Sequence, residues 1–215
     1  GDSYNRLGLL YRGIGRFEEA LESYELSIRY KKEAGNEASV ASTLNNLGNL
    51  YRVMGDRDKA YNTFIQSIEI RERLGDHRNA ASTYLNLGNW MAGEGNFEQA
   101  RKNFNQFKIM QQEIGDTTAL ALVNSNIGAL FSNQSQFDSA LVYFLRSSEL
   151  IKLAKISDPR RSAINFMGLG FVNEKLEYPI EAIAYYKKAL ITYNRYQDPE
   201  NKSLAYQNIG KVFSD

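Results

Sequence analysis

The sequence has no cysteine, one histidine and three prolines among its 215 residues. Without cysteine there can be no disulfide, no thiol nucleophile and no thiolate metal site. The single histidine, His77, excludes a multi-histidine metal site and has no recognisable catalytic partner. No run of about 18 apolar residues occurs, so no segment of this sequence is predicted to cross a bilayer.

Neither sign of charge is in clear excess. The chain carries 26 basic and 25 acidic residues, and these are spread evenly along the whole length rather than forming blocks. A nucleic-acid-binding protein needs a concentrated basic face to displace counterions from phosphates. The glycine pairs at Gly93 and Gly168 lack the third glycine and the strand of a nucleotide-binding loop. We therefore predict no nucleic-acid partner, no cofactor and no enzymatic activity.

An internal repeat dominates the sequence. A glycine preceded by leucine or isoleucine recurs with spacings of 40, 40, 40, 42 and 40 residues, at Gly8, Gly48, Gly88, Gly128, Gly170 and Gly210. An alanine follows each of the first five glycines by 12 residues, at Ala20, Ala60, Ala100, Ala140 and Ala182. An aromatic residue stands four positions further on, at Tyr24, Phe64, Phe104, Phe144 and Tyr186. Such self-similarity is typical of stacked repeat architectures.

Each repeat predicts two helices. In the first repeat, apolar residues recur at helical spacing over about 4–13 and about 17–34, with Gly15 and Gly35 in the turns. Gly8 and Ala20 are small enough to let the two helices approach closely, and Tyr24 fills the gap to the next helix. An isolated pair cannot bury its apolar face, whereas stacked pairs can, so the sequence predicts an all-α solenoid.

These residues resemble the tetratricopeptide repeat (TPR). The signature W-x2-L-G-x2-Y…A-x3-F is matched in the first repeat by Tyr4, Leu7, Gly8, Tyr11, Ala20 and Tyr24. The resemblance implies a right-handed superhelical solenoid of antiparallel helix pairs. The long period, with Leu-Gly-Asn at residues 47–49 and 87–89, is similar to that of Leu-Gly-Asn spindle adaptors, kinesin light chains and bacterial TPR regulators and sensor kinases.

The domain organisation follows from the period. We expect one array over 1–215, with repeats at about 1–40, 41–80, 81–120, 121–162 and 163–202 and a partial sixth at 203–215. The two extra residues of the fourth repeat are placed at 156–160, and Gly170 rather than Gly168 is taken as the anchoring glycine of the fifth. The helix at about 203–214 is expected to cover the fifth repeat with Tyr206, Ile209 and Phe213 inward. Because the sequence begins without Met and ends within the pattern, we expect a piece of a longer protein.

One face of each first helix points away from the packing positions. At 100° per residue, repeat positions 2, 5, 6, 9 and 12 lie opposite positions 4, 7, 8 and 11. The resemblance implies that this face, called here the first-helix face, lines a concave groove. The candidate peptide-binding residues on it are Asn5, Arg12, Asn45, Asn46, Asn49, Arg52, Asn86, Asn89 and Asn126. In the fifth repeat the face becomes apolar, with Ile164, Met167 and Phe171.

Asparagine is unfavourable inside helices because its amide competes for backbone hydrogen bonds, so a repeated stripe of it needs an explanation. An asparagine amide carries a donor and an acceptor and can pair with both groups of a peptide unit. The alternative is that these amides bond to neighbouring repeats or to water. Arg12 and Arg52 are placed to bind a carboxylate, or are solvated charges beside the stripe.

Two functions fit these features. The first is a protein–protein interaction scaffold that binds a peptide or protein segment in the groove. The second is the sensory or regulatory region of a bacterial signal-transduction protein, such as a histidine kinase or a transcription regulator, with self-association as a possible contact. The third repeat presents Leu85, Asn86 and Asn89 with no basic residue, which argues against the clamp of chaperone-binding TPRs. The compartment stays open between cytoplasm and bacterial periplasm.

Overall fold

The computed structural model describes residues 1–155 and 159–214, and these ranges contain eleven α-helices and no strand. The helices are α1 (Asp2–Gly13), α2 (Phe17–Glu33), α3 (Glu37–Met54), α4 (Arg57–Arg73), α5 (His77–Gly93), α6 (Phe97–Ile114), α7 (Thr117–Asn133), α8 (Phe137–Leu153), α9 (Pro159–Lys175), α10 (Pro179–Tyr196) and α11 (Pro199–Ser214). The predicted helix pairs are therefore confirmed. No helix within the described ranges is long and apolar enough to span a bilayer. The expectation for the connection at 156–160 falls mostly on residues outside these ranges.

The turns repeat every 20 residues. Between α1 and α7, each turn contains a glycine with positive φ: Gly15, Gly35, Gly55, Gly75, Gly95 and Gly115. Several turns then place an Asn or Asp whose side chain accepts a hydrogen bond from the next helix, as Asp116 does from the Ala119 N–H at 2.9 Å. The three prolines begin α9, α10 and α11, where a helix needs no N–H donor. The turn chemistry thus sets the helix boundaries.

The later turns keep the same backbone without glycine. Ser135 and Glu177 have φ values of 58° and 62°, a conformation in which a Cβ costs about 1–2 kcal/mol. We expect Ser135→Gly and Glu177→Gly each to raise the free energy of unfolding by about 0.5 kcal/mol, since added freedom of the unfolded chain offsets part of the gain. Urea unfolding measures this, with Ser139→Gly inside α8 as the control, which should destabilise. A loss of stability in the turn variants would show that their side chains make compensating contacts.

The helices group into two compact units, Gly1–Leu87 and a second that begins at Gly88 within α5. In each unit, helices adjacent in sequence pack together. The first helices of neighbouring repeats also touch. In the N-terminal unit α1 contacts α3, and in the C-terminal unit α9 contacts both α7 and α11. The first helices of each unit therefore form a row, which brings their exposed faces side by side. A single array over 1–215 stays a prediction.

The core is made of the repeated small and aromatic residues. All five alanines are 0% exposed, and the five aromatic residues are at most 4% exposed. A Cβ added at Gly170 would lie 2.4 Å from Cδ1 of Tyr186, whereas one at Gly168 would lie 2.5 Å from Cζ of Phe144. Gly170 thus contacts the aromatic residue of its own repeat and Gly168 that of the preceding repeat. The choice of Gly170 as the anchoring glycine is confirmed.

The expected orientation of α11 is wrong in part. Ala205 is fully buried against α10, and Ile209 is half-buried, but Tyr206 and Phe213 are 53% and 73% exposed. The equivalent positions of earlier repeats face the second helix of their own pair, as in the stacking of Phe131 on Tyr143. Residues 203–214 contribute only a first helix, so those two aromatic rings have no such partner among the described residues.

Candidate functional site

The candidate residues lie on the first helices, on the face predicted for them. Asn86, Asn89 and Arg52 are exposed, and the other six are half-buried. Asn5, Asn45, Asn46, Asn49, Arg12, Arg52 and Asn86 belong to the N-terminal unit, and Asn89 and Asn126 belong to the C-terminal unit. Each unit therefore carries its own set of amides.

Two pairs of these amides are joined across neighbouring repeats. In the N-terminal unit, Nδ2 of Asn46 donates to Oδ1 of Asn5 at 3.1 Å. In the C-terminal unit, Nδ2 of Asn126 donates to Oδ1 of Asn89 at 3.0 Å. An asparagine amide has two N–H donors and an oxygen that can accept two hydrogen bonds, so each pair keeps unused donors and unused acceptor capacity.

The other amides of the N-terminal unit bond locally. Nδ2 of Asn49 donates to the backbone carbonyl of Asn45 at 3.0 Å, which leaves Oδ1 of Asn49 as an acceptor. Oδ1 of Asn45 lies 3.4 Å from the hydroxyl of Thr83, which also lies 3.1 Å from the carbonyl of Asn79. The stripe therefore contains both donors and acceptors, and part of its capacity is used between repeats.

A buried cation lies behind this face in each of the first two repeats, and the sequence interpretation missed it. Arg71 is 7% exposed; its Nη1 donates to the Asn79 carbonyl at 2.8 Å and to the Thr83 hydroxyl at 2.6 Å. Lys31, at the same repeat position, donates to the Thr43 hydroxyl at 3.0 Å and pairs with Asp2 at 3.0 Å. Each cation ties a second helix to the next first helix. The helical spacing from Ala20 and Tyr24 to residue 31 was the available signal, because it continues the buried stripe.

The pKa values of two groups here are both lowered, but burial disfavours the charged form of one and the ion pair favours the charged form of the other. Burial lowers the pKa of the Arg71 guanidinium, because removing a charge from water disfavours the charged form. A hydrogen bond from Lys31 lowers the pKa of the exposed Asp2 carboxyl, because the ammonium favours the carboxylate.

Position 12 of the face changes charge along the chain. Arg12 and Arg52 occupy it in the first two repeats, and in residues 1–155 and 159–214 neither guanidinium pairs with a carboxylate. In the fifth repeat the residue is Glu174, whose carboxylate accepts from Lys211 at 3.0 Å and from the Tyr186 hydroxyl at 2.9 Å. Burial raises the pKa of Glu174, but the hydrogen bonds from Lys211 and Tyr186 outweigh it and lower the pKa overall. Among the described residues, position 12 is therefore cationic in the first two repeats and acidic in the fifth.

The apolar part of the face lies in the C-terminal unit. Ile164 is 61% exposed and Phe171 is 37% exposed, so this part of the face presents apolar side chains to solvent. The ring of Phe171 packs edge-on against Phe137 and lies 5.5 Å from Nζ of Lys175. No group of three or more His, Asp or Glu side chains that could hold a metal occurs in the part of the chain that the structure describes.

Comparison with known families adds to this geometry. A tetratricopeptide-repeat family model matches residues 39–107, and a second one matches residues 1–33. These matches cover the repeats in which the glycine, alanine and aromatic residues pack as described. Residues 1–33 and 39–107 are tetratricopeptide repeats. A comparison with curated proteins gives no significant match.

Solved structures share this fold over nearly the whole chain. BtubC (BKLC) from P. vanneervenii has 18% identity over 92% of this chain and 83% of that chain, with a TM-score of 0.78. The apo form of RapI has 16% identity over 98% and 81%, with a TM-score of 0.81. A signal transduction ATPase with numerous domains (STAND) from Pyrococcus horikoshii, which has a TPR sensor, has 18% identity over 97% and 32%, with a TM-score of 0.81. At these identities the likeness concerns the fold.

TPR folds generally act as non-catalytic scaffolds that contact other proteins. A chain built from such repeats has the architecture of a protein-interaction scaffold.

Proposed function

We propose that the chain binds an extended peptide segment of a partner protein along its first-helix face, and that the asparagine stripe holds the main chain of that segment. The observation that carries the proposal is the matched pairing of Asn5 with Asn46 and of Asn89 with Asn126. Each pair keeps donors and acceptor capacity that a ligand could use. A peptide unit offers the complementary C=O and N–H, so the stripe can bind main chain without selecting side chains.

The arginines add a preference for acidic groups. Arg12 and Arg52 lie at the same repeat position on the same face as the amides. A guanidinium binds a carboxylate through paired donors, which suits a peptide with an acidic side chain or a free C-terminus. The chain's net charge of +1 gives no general attraction to anions, so any preference must be local to these residues.

The test is a selection from a displayed library of random 12-residue peptides, followed by calorimetric titration of the best binder. We expect Asn46→Ala, Asn86→Ala and Asn126→Ala together to weaken binding by about 0.5–1.5 kcal/mol for each hydrogen bond lost. The folded state should change little, because alanine has the higher helix propensity. The matched control replaces three exposed asparagines of second helices, Asn62, Asn105 and Asn194, and should leave the affinity unchanged.

The opposite pattern would overturn the amide proposal. If the triple variant loses stability while each folded molecule binds as before, the asparagines serve only as ties between repeats. The charge proposal has its own arm, in which Arg12→Ala and Arg52→Ala are measured at two salt concentrations with the peptide and its C-terminal amide. A salt-dependent loss of affinity that is confined to the peptide with the free C-terminal carboxylate supports the arginine role. An equal loss of affinity for that peptide and its amide contradicts it.

A sensory region of a signalling protein is the second candidate. It is favoured by the fold likeness to a STAND protein with a TPR sensor, in which the matched part is 32% of that chain. Sequencing the reading frame on both sides of these residues tests it. A kinase, ATPase or DNA-binding region there would support this candidate, and an uninterrupted series of repeats would contradict it.

A further inference from the structure

The C-terminal unit contains a small cavity on its first-helix face. Its volume is about 110 Å³, and its walls include Ala121, Leu122 and Ile151 with the exposed Ile164 beside them. The remaining lining residues are Ser125, Asn126, Ser147 and Arg161. The hydroxyl of Ser147 donates a hydrogen bond to the backbone carbonyl of Ala121 at 2.8 Å. The interior is therefore mainly apolar, and Arg161 is the one charged residue in its lining.

A change in repeat position 31 accounts for the cavity. In the first two repeats this position holds Lys31 and Arg71, whose long side chains reach Thr43 and Thr83 of the next first helix. In the fourth repeat the residue is Ile151, which is shorter and has no polar group to donate to the following helix. The next first helix also differs, because Asn165 turns its amide to the carbonyl of Phe144 at 3.0 Å and to Ser148 at 2.7 Å.

Repeat position 2, which lines the cavity, also becomes apolar in the later repeats. Position 2 of the repeat is Asp2, Ser42 and Ser82 in the first three repeats but Leu122 and Ile164 in the next two. Ile164 is 61% exposed, and covering it with an apolar group is favourable because apolar surface is removed from water. The cavity and its rim therefore suit a side chain rather than water, since a buried water needs several polar partners.

We propose that this cavity binds one aliphatic side chain of the peptide, of the size of leucine. This inference rests on the proposed function, since it names the residue type that such a peptide places there. It gives the face two roles: main-chain binding by amides, and side-chain selection by a pocket of the C-terminal unit.

N-acetyl-L-leucine is the probe, observed through ¹³C-labelled isoleucine methyl groups by NMR. We expect saturable shifts at Ile151 and Ile164 with a Kd in the millimolar range, as befits so small a ligand. N-acetyl-L-alanine should bind about tenfold more weakly because it leaves most of the cavity unfilled.

Two variants test the site from different sides. Ile164→Ser gives the fifth repeat the residue of the second and third and should weaken binding of the probe. Ile151→Arg restores the long side chain of the second repeat and should abolish the saturable shift of the Ile164 methyl group by filling the cavity. The control is Ile191→Ser, which replaces an isoleucine with 63% exposure on α10 and should bind as the unmodified protein does.

Three outcomes overturn the inference: no saturable shift at Ile151 and Ile164, equal shifts at Ile191, or equal binding of the leucine and alanine probes. The probe has no extended main chain for the asparagine stripe to hold. Failure here together with normal peptide selection would therefore reject the cavity and leave the proposed function standing.

Discussion

Gly170→Ala should destabilise the protein by about 1–3 kcal/mol, the usual cost of overfilling a packed core. The new Cβ would lie 2.4 Å from Cδ1 and from Cε1 of Tyr186, a ring that is 0% exposed and has no room to move. The helices α9 and α10 would have to separate, and this would also disturb the hydrogen bond from Tyr186 to Glu174. Urea unfolding followed by circular dichroism measures the change in the free energy of unfolding.

Gly210→Ala is the matched control. Gly210 has the same repeat position in α11, but no heavy atom lies within 4 Å of its ideal Cβ. Alanine is favoured over glycine within a helix by about 0.5–1 kcal/mol, so this variant should be neutral or slightly stabilised. Equal losses in the two variants would mean that the helix backbone, rather than the contact with the aromatic ring, requires glycine.

Phe104→Ala should cost about 3–5 kcal/mol, the range for removing a buried phenylalanine side chain. Phe104 is 1% exposed and covers Gly88, where an added Cβ would lie 2.5 Å from its ring. The fixed backbone of two packed helices can close little of the resulting void. Thermal unfolding and urea unfolding should both show the loss.

Phe213→Ala provides the comparison for Phe104. It removes the same side chain from α11, where the ring is 73% exposed, and should change stability by at most about 0.5 kcal/mol. If Phe213→Ala instead costs as much as Phe104→Ala, the ring of Phe213 is buried in solution, as the sequence spacing suggested. If Phe104→Ala is neutral, the repeated aromatic residue is not the core of the pair.

Much of the fold could be predicted from the regular spacing of a few residue types along the sequence. The spacing of Gly8, Ala20 and Tyr24 gave the helix pair, because small and aromatic residues at helical spacing on facing helices have few other ways to pack. The turn glycines gave the boundaries, since their left-handed backbone is strained for other residues. These features depend on local geometry that is the same in every repeat.

Residue type misled the interpretation where it conflicted with position. Lys31 and Arg71 are charged, a type that is usually exposed, although helical spacing puts them on the buried stripe. Their burial is possible because hydroxyl and carbonyl groups of the next helix accept their hydrogen bonds. Tyr206 and Phe213 gave the reverse error, since apolar type suggested burial where no second helix covers them.

The sequence alone determined the family, the helix pairs, the repeated core and the face on which the asparagines lie, because each depends on a period that is visible in the residue order. The tertiary structure decided how Asn5 pairs with Asn46 and Asn89 with Asn126, how Arg71 reaches Thr83, and that Ile151 leaves a cavity. These contacts join side chains of different helices. Their existence depends on side-chain length and on the distance between helices, and neither is encoded in the repeat period.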